Sequence, residues 1–325
     1  MPTAERDPVP DNLRGLLLLL VGAGHGLEPL LGASATARAL YSALYLFHVP
    51  AFAALSGMLS RPAWPTAASL RALLQPLLLY QCAYVAVDVL YLGHAFTSQW
   101  AWQPYWVLWF LLSLATWRLL LPWVLRLPWP LAWAVGIALV AGGVESVGYP
   151  LSLSRTAVFF PCFLAGHLAP VTLRAWLRTP RGRVLGAAAF ALLAAWTLAV
   201  ATGHLPSPDT RLLYGSTPYL GLGLSPSAGM LQRGAVLAVA LALTGATWAW
   251  TPQSRGALTR LGAASLHPYA AHGLLLRAAP LQPWLLALPA LLQPTAGVAA
   301  GLLAVSLPGV RALLPRGAAD RARDR

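Results

Sequence analysis

Long apolar runs, broken by short clusters of arginine, glycine and proline, set the pattern of the chain. A membrane-spanning helix needs roughly 20 mostly apolar residues. Ten stretches answer to that: 13–31, 40–60, 71–92, 104–121, 129–145, 151–170, 184–202, 233–250, 262–279 and 284–308. The pattern predicts an all-α, polytopic membrane helix bundle with about ten transmembrane helices. It divides the chain into a cytoplasmic segment (1–12), a transmembrane domain (13–308) and a basic cytoplasmic tail (309–325) with no further domain behind it. The longest connection, 203–232, is rich in Gly, Pro and Ser. It predicts an external loop, with Tyr219–Leu224 as a short piece that can re-enter the bilayer. The first run, Leu16–Leu31, is interrupted by Gly24-His25-Gly26 and Glu28 and lacks a small-residue cleavage pattern. It predicts a retained helix, not a signal peptide.

Composition agrees with lipid as the solvent. The 325 residues are 58% hydrophobic and only 10% charged, with a mean hydropathy of +0.64. A soluble domain carries about a quarter charged residues. All 22 Lys+Arg positions are Arg. With the N-terminus in the cytoplasm, seventeen of the 22 lie on or near the inner side. Only Arg38, Arg155, Arg211, Arg233 and Arg277 lie on or near the outer side. That asymmetry predicts a multi-pass protein of the inner (plasma) membrane with both termini cytoplasmic. The net charge of +13 is scattered and forms no continuous basic patch, so no nucleic-acid partner is expected. Cys82 and Cys162 both fall in apolar runs and form neither a disulfide framework nor a metal motif.

Ionisable groups inside spans are costly, so each is a site candidate. These are His25, Glu28, His48, Asp88, Arg155, His167, His267 and His272. Arg14 and His25 are eleven residues apart, close to three helical turns. Both side chains therefore project from nearly one face, roughly 16 Å apart along the axis. Glu28, three residues beyond His25, lies on the same side and suits an imidazole that acts as a base. The structural alternative is an Arg14 that snorkels and a His25 that bonds a carbonyl. The second run carries His48-Val49-Pro50, then Ser56-Gly57, either a wet site or a kinked packing helix. Arg155 is either an oxyanion donor or the partner of Glu145 or Asp88. His272 either lines the cavity or bonds a carbonyl. His94 and His204 fall in loops as solvated residues. The 14 Trp residues, Trp100, Trp102, Trp106, Trp123, Trp129 and Trp133 among them, gather near span ends as an interfacial belt.

Several of these residues also form motifs. Arg14, ten intervening residues and His25 resemble the Arg-X10-His signature of the acyltransferase-3 family. Phe47-His48-Val49-Pro50 with Leu55-Ser56-Gly57 is similar to that family's second motif, with Val49 where Met is common. Trp109-Phe110-Leu111-Leu112 resembles its fourth-span segment. Leu151-Ser152-Leu153-Ser154-Arg155-Thr156, with Phe159-Phe160-Pro161 and Gly166, resembles fucose-4-O-acetylase-like members; Cys162 and His167 depart from that pattern. Leu261-Gly262, Ser265-Leu266, Tyr269 and His272-Gly273 resemble the last motif, and His267 and Pro268 depart from it.

The resemblance implies an integral membrane O-acyltransferase that moves an acyl group, usually acetyl, from cytoplasmic acyl-CoA to a hydroxyl. On that resemblance the acceptor would be a carbohydrate, a glycolipid (hence lipid-linked, in contact with membrane lipid) or a secondary metabolite. Arg14, Arg71 and Arg118 would hold the phosphates of acetyl-CoA. His25 would serve as base or acyl carrier, with Glu28, Ser56 and Arg155 as further catalytic groups. His48, Tyr269 and His272 would line the acceptor site. No metal is expected. A membrane transporter or flippase for a polar or polyprenyl-linked solute would use the same intramembrane Arg and His as a pathway. A non-catalytic relative is the third reading.

Overall fold

The computed structural model describes residues 7–279 and 281–313. Arg6, Arg316, Arg321, Arg323 and Arg325 of the charge asymmetry, and most of the predicted tail, lie outside the described residues. Among the described residues every regular element is helical. In chain order these are α1 (Val9–Leu27), α2 (Ala35–Tyr45), α3 (His48–Met58), α4 (Ala67–Ala86), α5 (Trp109–Val124), α6 (Pro130–Ala141) and α7 (Leu153–Leu168). Then come α8 (Val171–Leu177), α9 (Pro180–Ala201), α10 (Thr210–Tyr214), α11 (Pro226–Trp250), α12 (Ala257–Ala263), α13 (Leu266–Ala278), α14 (Leu281–Leu286) and α15 (Gln293–Leu313).

Among the described residues, seven helical stretches, counted across their kinks, are long and apolar enough to cross a membrane: 9–30, 35–58, 67–91, 98–124, 150–168, 180–201 and 226–250. The other three predicted positions are short or broken. The 129–145 run forms only the 12 residues of α6. The 262–279 run starts earlier and breaks at Ala264-Ser265 between α12 and α13. The 284–308 run breaks around Pro289 between α14 and α15.

Local chemistry explains where helices begin and end. Ser34, Thr66, Thr179 and Ser225 each cap a helix by accepting a backbone N–H, at Ala37, Ser69, Gly182 and Ala228, which satisfies one of the orphan donors of the first turn. Pro180 and Pro226 follow their caps as first helical residues, where a missing N–H costs nothing. That cap at Ser225 starts α11 seven residues before the predicted 233. At Glu28-Pro29 α1 gives way to a tighter turn, Glu28–Leu30: Glu28 keeps helical dihedrals, and Pro29 has no N–H to continue the ladder. Pro50 acts differently from a mid-helix kink: α2 stops at Tyr45 and Pro50 sits in the first turn of α3. At the break the Leu44 carbonyl accepts the Phe47 N–H at 3.2 Å and a second hydrogen bond from the His48 imidazole Nδ1 at 2.7 Å.

Helix α1 is the hub; α15, α12, α2, α3 and α13 all pack on it. Glycines set how closely. A Cβ at Gly26 would strike the Gly297 carbonyl, and one at Gly301 would strike the Gly22 carbonyl. The two Gly-x-x-x-Gly faces, 22/26 and 297/301, thus bring α1 and α15 into backbone contact, the main source of helix association in lipid. Gly57 and Gly166 do the same for α3 and α7, against the Phe163 and Ala54 carbonyls.

The 203–232 connection is folded onto the bundle. Tyr219 is buried, its N–H donating to the Gly142 carbonyl at 2.6 Å and its hydroxyl to the Leu139 carbonyl at 2.7 Å. Arg233, outside the list of site candidates, lies fully buried over the Tyr219 ring, 4.5 Å from its centroid, and donates to the Ala138 carbonyl.

Substituting Gly26→Leu should lower the unfolding free energy of the purified protein by about 3 kcal/mol, the cost of overpacking. Gly136→Leu, where a Cβ meets nothing within 4 Å, should leave it unchanged. Thermal melting in one detergent compares the two; equal midpoints would refute the α1–α15 seam.

Candidate functional site: a membrane cavity around His25

A cavity of about 560 Å³ runs beside α1. At one end it is lined by Arg14, Ser56 and Ser265; at the other by Gln103, Tyr149 and Tyr214. His25 and Glu28 lie on the wall between. The eleven-residue spacing thus does what three turns of helix require: Arg14 and His25 face one space.

Glu28 organises that wall. Its Oε1 accepts from His25 Nδ1 at 2.8 Å, from the Tyr41 hydroxyl at 3.0 Å and from the Tyr45 hydroxyl at 3.1 Å. A carboxylate only accepts, so the neutral His25 ring carries its proton on Nδ1 and has its lone pair on Nε2. Tyr41, whose proton points at Glu28, accepts in turn from the Tyr214 hydroxyl at 2.7 Å. Tyr214 comes from α10, whose first turn is capped by Asp209. Hydrogen bonds from the Arg211 guanidinium hold the Asp209 carboxyl below the usual carboxylate range.

Two rings flank the His25 imidazole. Trp106 stands edge-on, 4.6 Å between centroids. Its φ of 35° lies in the left-handed region that bulky residues avoid, a strain of order 1–3 kcal/mol that surrounding structure must hold. His272 lies 5.4 Å away. Its Nδ1 meets the Tyr269 carbonyl at 2.6 Å and the Pro268 carbonyl at 3.2 Å, so the proton is there. Its Nε2 is a buried acceptor without a partner.

The remaining predicted residues divide. His48, Tyr269 and Arg155 line the same cavity. His48 is buried and bonded to Leu44, and Tyr269 donates its hydroxyl to the Val107 carbonyl. Ser56 lines it too, but eight residues beyond His48 on one helix, about 12 Å along the axis, at the Arg14 end. Arg14 itself pairs with Asp11 at 3.0 Å and donates to the Gly262 carbonyl at 3.2 Å. Arg118 lies within electrostatic range of Arg14. Arg71 is exposed on α4, its Nε reaching the Ala67 carbonyl, and is not brought to the cavity. Asp88 pairs with Arg277 at 2.8 Å and accepts from Tyr105 at 2.6 Å, so it is not the partner of Arg155. His167 bonds the Gly57 carbonyl and His267 the Tyr80 hydroxyl. Among the described residues no three His, Cys, Asp or Glu side chains converge to hold a metal ion.

Sequence reading missed Tyr41, Tyr45 and Tyr214, and it placed Trp106 in an interfacial belt. Tyr41, Tyr45 and His48 stand at i, i+4 and i+7, a helical-face signal that was there to be read. Tyr214, in a segment full of helix breakers, carried none. Trp106 and Trp109 face the cavity.

A carboxylate-held imidazole on a buried cavity defines a polytopic helical membrane protein with a polar site inside its bundle. The family model for an acyltransferase domain, the acyltransferase-3 domain, matches residues 8–310, and the chain belongs to that family. It is therefore a member of a membrane acyltransferase family. No curated protein and no solved structure matches it.

If Tyr41 and Tyr45 share one carboxylate, Tyr41→Phe and Tyr45→Phe should not be additive. Each alone should cost about 1–2 kcal/mol, with a coupling of at least about 0.5 kcal/mol in the double-mutant cycle. Unfolding by graded denaturing detergent measures it; strict additivity would mean that the hydroxyls act separately.

Proposed function

We propose that the protein is an O-acyltransferase of the plasma membrane, both termini cytoplasmic, that moves an acetyl group from cytoplasmic acetyl-CoA to a hydroxyl of a carbohydrate, glycolipid or secondary metabolite. The observation that carries this reading is the Glu28–His25 pair on the cavity wall. It leaves an imidazole lone pair as the free base in a space that also holds Arg14.

The Arg14 end suits the donor. A guanidinium at the mouth, with Arg118 close by, attracts the pyrophosphate and ribose phosphate of a CoA thioester. Arg71 contributes at most through its charge. Ser56, at that same end, is placed to bond the pantetheine arm. The acceptor would enter from the Tyr149 end, where tyrosine and tryptophan rings offer flat faces and hydroxyls.

His25 Nε2 then removes the proton as the acceptor oxygen attacks the thioester carbonyl. Glu28 steadies the imidazolium that forms. The C–S bond breaks, and the departing thiolate takes the proton from His25, leaving an ester and free CoA. His48 and Tyr269 shape the wall, and His272 braces the His25 ring. The tetrahedral oxyanion needs a donor, and Arg155 is the cavity cation that could also serve it. In the acyl-carrier variant the same Nε2 attacks first, and an acceptor-free burst of one thiol per protein would identify it.

Free thiol release from acetyl-CoA tests the reading, with acceptor glycans supplied as a membrane extract. His25→Ala should reduce release by about 10²–10⁴-fold, and Glu28→Gln by at least about tenfold. Arg14→Gln should raise the KM for acetyl-CoA by about 10–100-fold, the worth of a charged hydrogen bond, with little change in kcat. Undiminished release in His25→Ala would refute the proposal; solute uptake that persists in that variant would establish transport instead.

A further inference from the structure

Arg174, Arg178 and Arg233 also leave buried guanidinium nitrogens without a hydrogen-bond partner, but among the described residues Arg155 is the arginine of this kind that lines the cavity. Arg14, Arg211 and Arg277 each have a carboxylate, at 3.0, 2.7 and 2.8 Å. Arg155 has no ion pair among the described residues, and its Nε is buried with no hydrogen-bond partner. Its contacts are rings: its guanidinium carbon lies 5.2 Å from the Trp109 centroid and 5.2 Å from that of Tyr149. All three residues line the cavity. An ionised group within a membrane protein is costly unless something of opposite charge meets it.

The backbone makes the spot more positive still. Arg155 is the third residue of the 16-residue helix α7. A helix N-terminus carries partial positive charge, and helical side chains tilt back toward it, so a cation there is disfavoured and an anion favoured. The arginine is nevertheless held fast. Leu151 and Ser152, with φ of 49° and 55°, adopt left-handed backbone just before the helix, a strain that the fold sustains. Ser154 donates its hydroxyl to the Gly215 carbonyl at 2.5 Å, and Thr156 shares a 2.7 Å hydrogen bond with Ser113. Both sequence neighbours of Arg155 are thus clamped. Arg233 makes the contrast: equally without a carboxylate, it is closed in by Tyr219 and the Ala138 carbonyl and is not among the residues lining the cavity.

We infer that Arg155 with the N-terminus of α7 is an acceptor subsite for an oxyanion, a carboxylate or phosphate carried by the molecule to be acylated, with Trp109 and Tyr149 as its walls. This rests on the acyl-transfer reading and deepens it. The acceptor is an acidic or phosphorylated hydroxyl compound, and Arg155 fixes which hydroxyl reaches His25. That role differs from oxyanion stabilisation, which would act on every acceptor alike.

Binding without turnover tests this independently of catalysis. The full chain, in nanodiscs of phosphatidylcholine alone, is titrated with glucose 1-phosphate, glucuronate and glucose. Wild type should bind the two anions at least tenfold more tightly than glucose. Arg155→Gln should erase that preference and Arg155→Lys should keep part of it. The inference is overturned if wild type shows no anion preference. It is overturned equally if the preference survives Arg155→Gln, or is lost in Arg14→Gln while Arg155→Gln keeps it. Loss of anion binding when phosphatidylglycerol replaces phosphatidylcholine would assign the site to a lipid headgroup and also overturn it. If Arg155→Gln does not fold, the wild-type preference and the Arg155→Lys change decide. Failure here with intact His25-dependent thiol release would leave the acyl-transfer reading standing; loss of His25 dependence would remove both.

Discussion

The Glu28 carboxylate holds the site together. Three donors from two helices converge on one oxygen: His25 from α1, and Tyr41 and Tyr45 from α2. In a low-dielectric interior such a carboxylate is tolerated only because it is surrounded by donors. The same need for donors dictates the tautomer of His25, and so decides which ring nitrogen is left with a lone pair. Removing the carboxylate would take the acceptor from the Tyr41 and Tyr45 hydroxyls, leaving Tyr41 only its bond to Tyr214, and would free the imidazole to rotate. Fold and chemistry therefore depend on one acceptor.

That convergence requires α1 to sit in a fixed position, and glycines provide it. Hydrophobic burial does not drive helices together in lipid, so close backbone approach has to. Gly22 and Gly26 present one face of α1 to Gly297 and Gly301 of α15. A neighbouring face is then free to carry Arg14, His25 and Glu28 toward the cavity. Small residues on one face and ionisable residues on another are two halves of one design of the helix. The strained Trp106 backbone belongs to the same logic: tertiary contacts hold a ring edge-on to His25 in a conformation its own residue type resists.

Much of this was legible in the sequence because helical periodicity is rigid. Arg14 and His25 share a face by arithmetic, Glu28 follows three residues later, and long apolar runs require lipid-facing helices. What stayed hidden depended on breaks and on long-range contacts. Pro50 and Pro289 split expected spans, since proline marks the end of one helix or the first turn of the next as readily as a kink. Tyr214 reaches Tyr41 across 173 residues of sequence, and a loop segment has no period from which such a contact can be read. Arg71 looked equivalent to Arg14 by charge and by proximity to a span end. It is separated from the cavity only by the rotation of α4, which apolar patterning on an almost uniformly apolar helix does not specify.

Three buried or half-buried guanidiniums show why charge inside a membrane has to be interpreted by its surroundings. Arg277 has Asp88 and Tyr105 close by and joins the ends of α4 and α13, so its charge is already answered. Arg233 has a ring and a carbonyl and is closed off; its cost is carried by the fixing of α11 against α6 and the Tyr219 loop. Arg155 has rings on its flanks, the positive end of a helix beneath it and open cavity before it. Arg277 has its counter-charge; Arg233 keeps Nε and Nη2 unpartnered but is shut away from the cavity, and Arg155 alone of the three can be met by an anion that enters it. A site that needs its ligand's charge to be electrostatically satisfied selects that ligand by class before any finer contact is made. For a bundle with a single base facing a cavity of this size, that selection is what would distinguish one hydroxyl compound from the many a membrane surface offers.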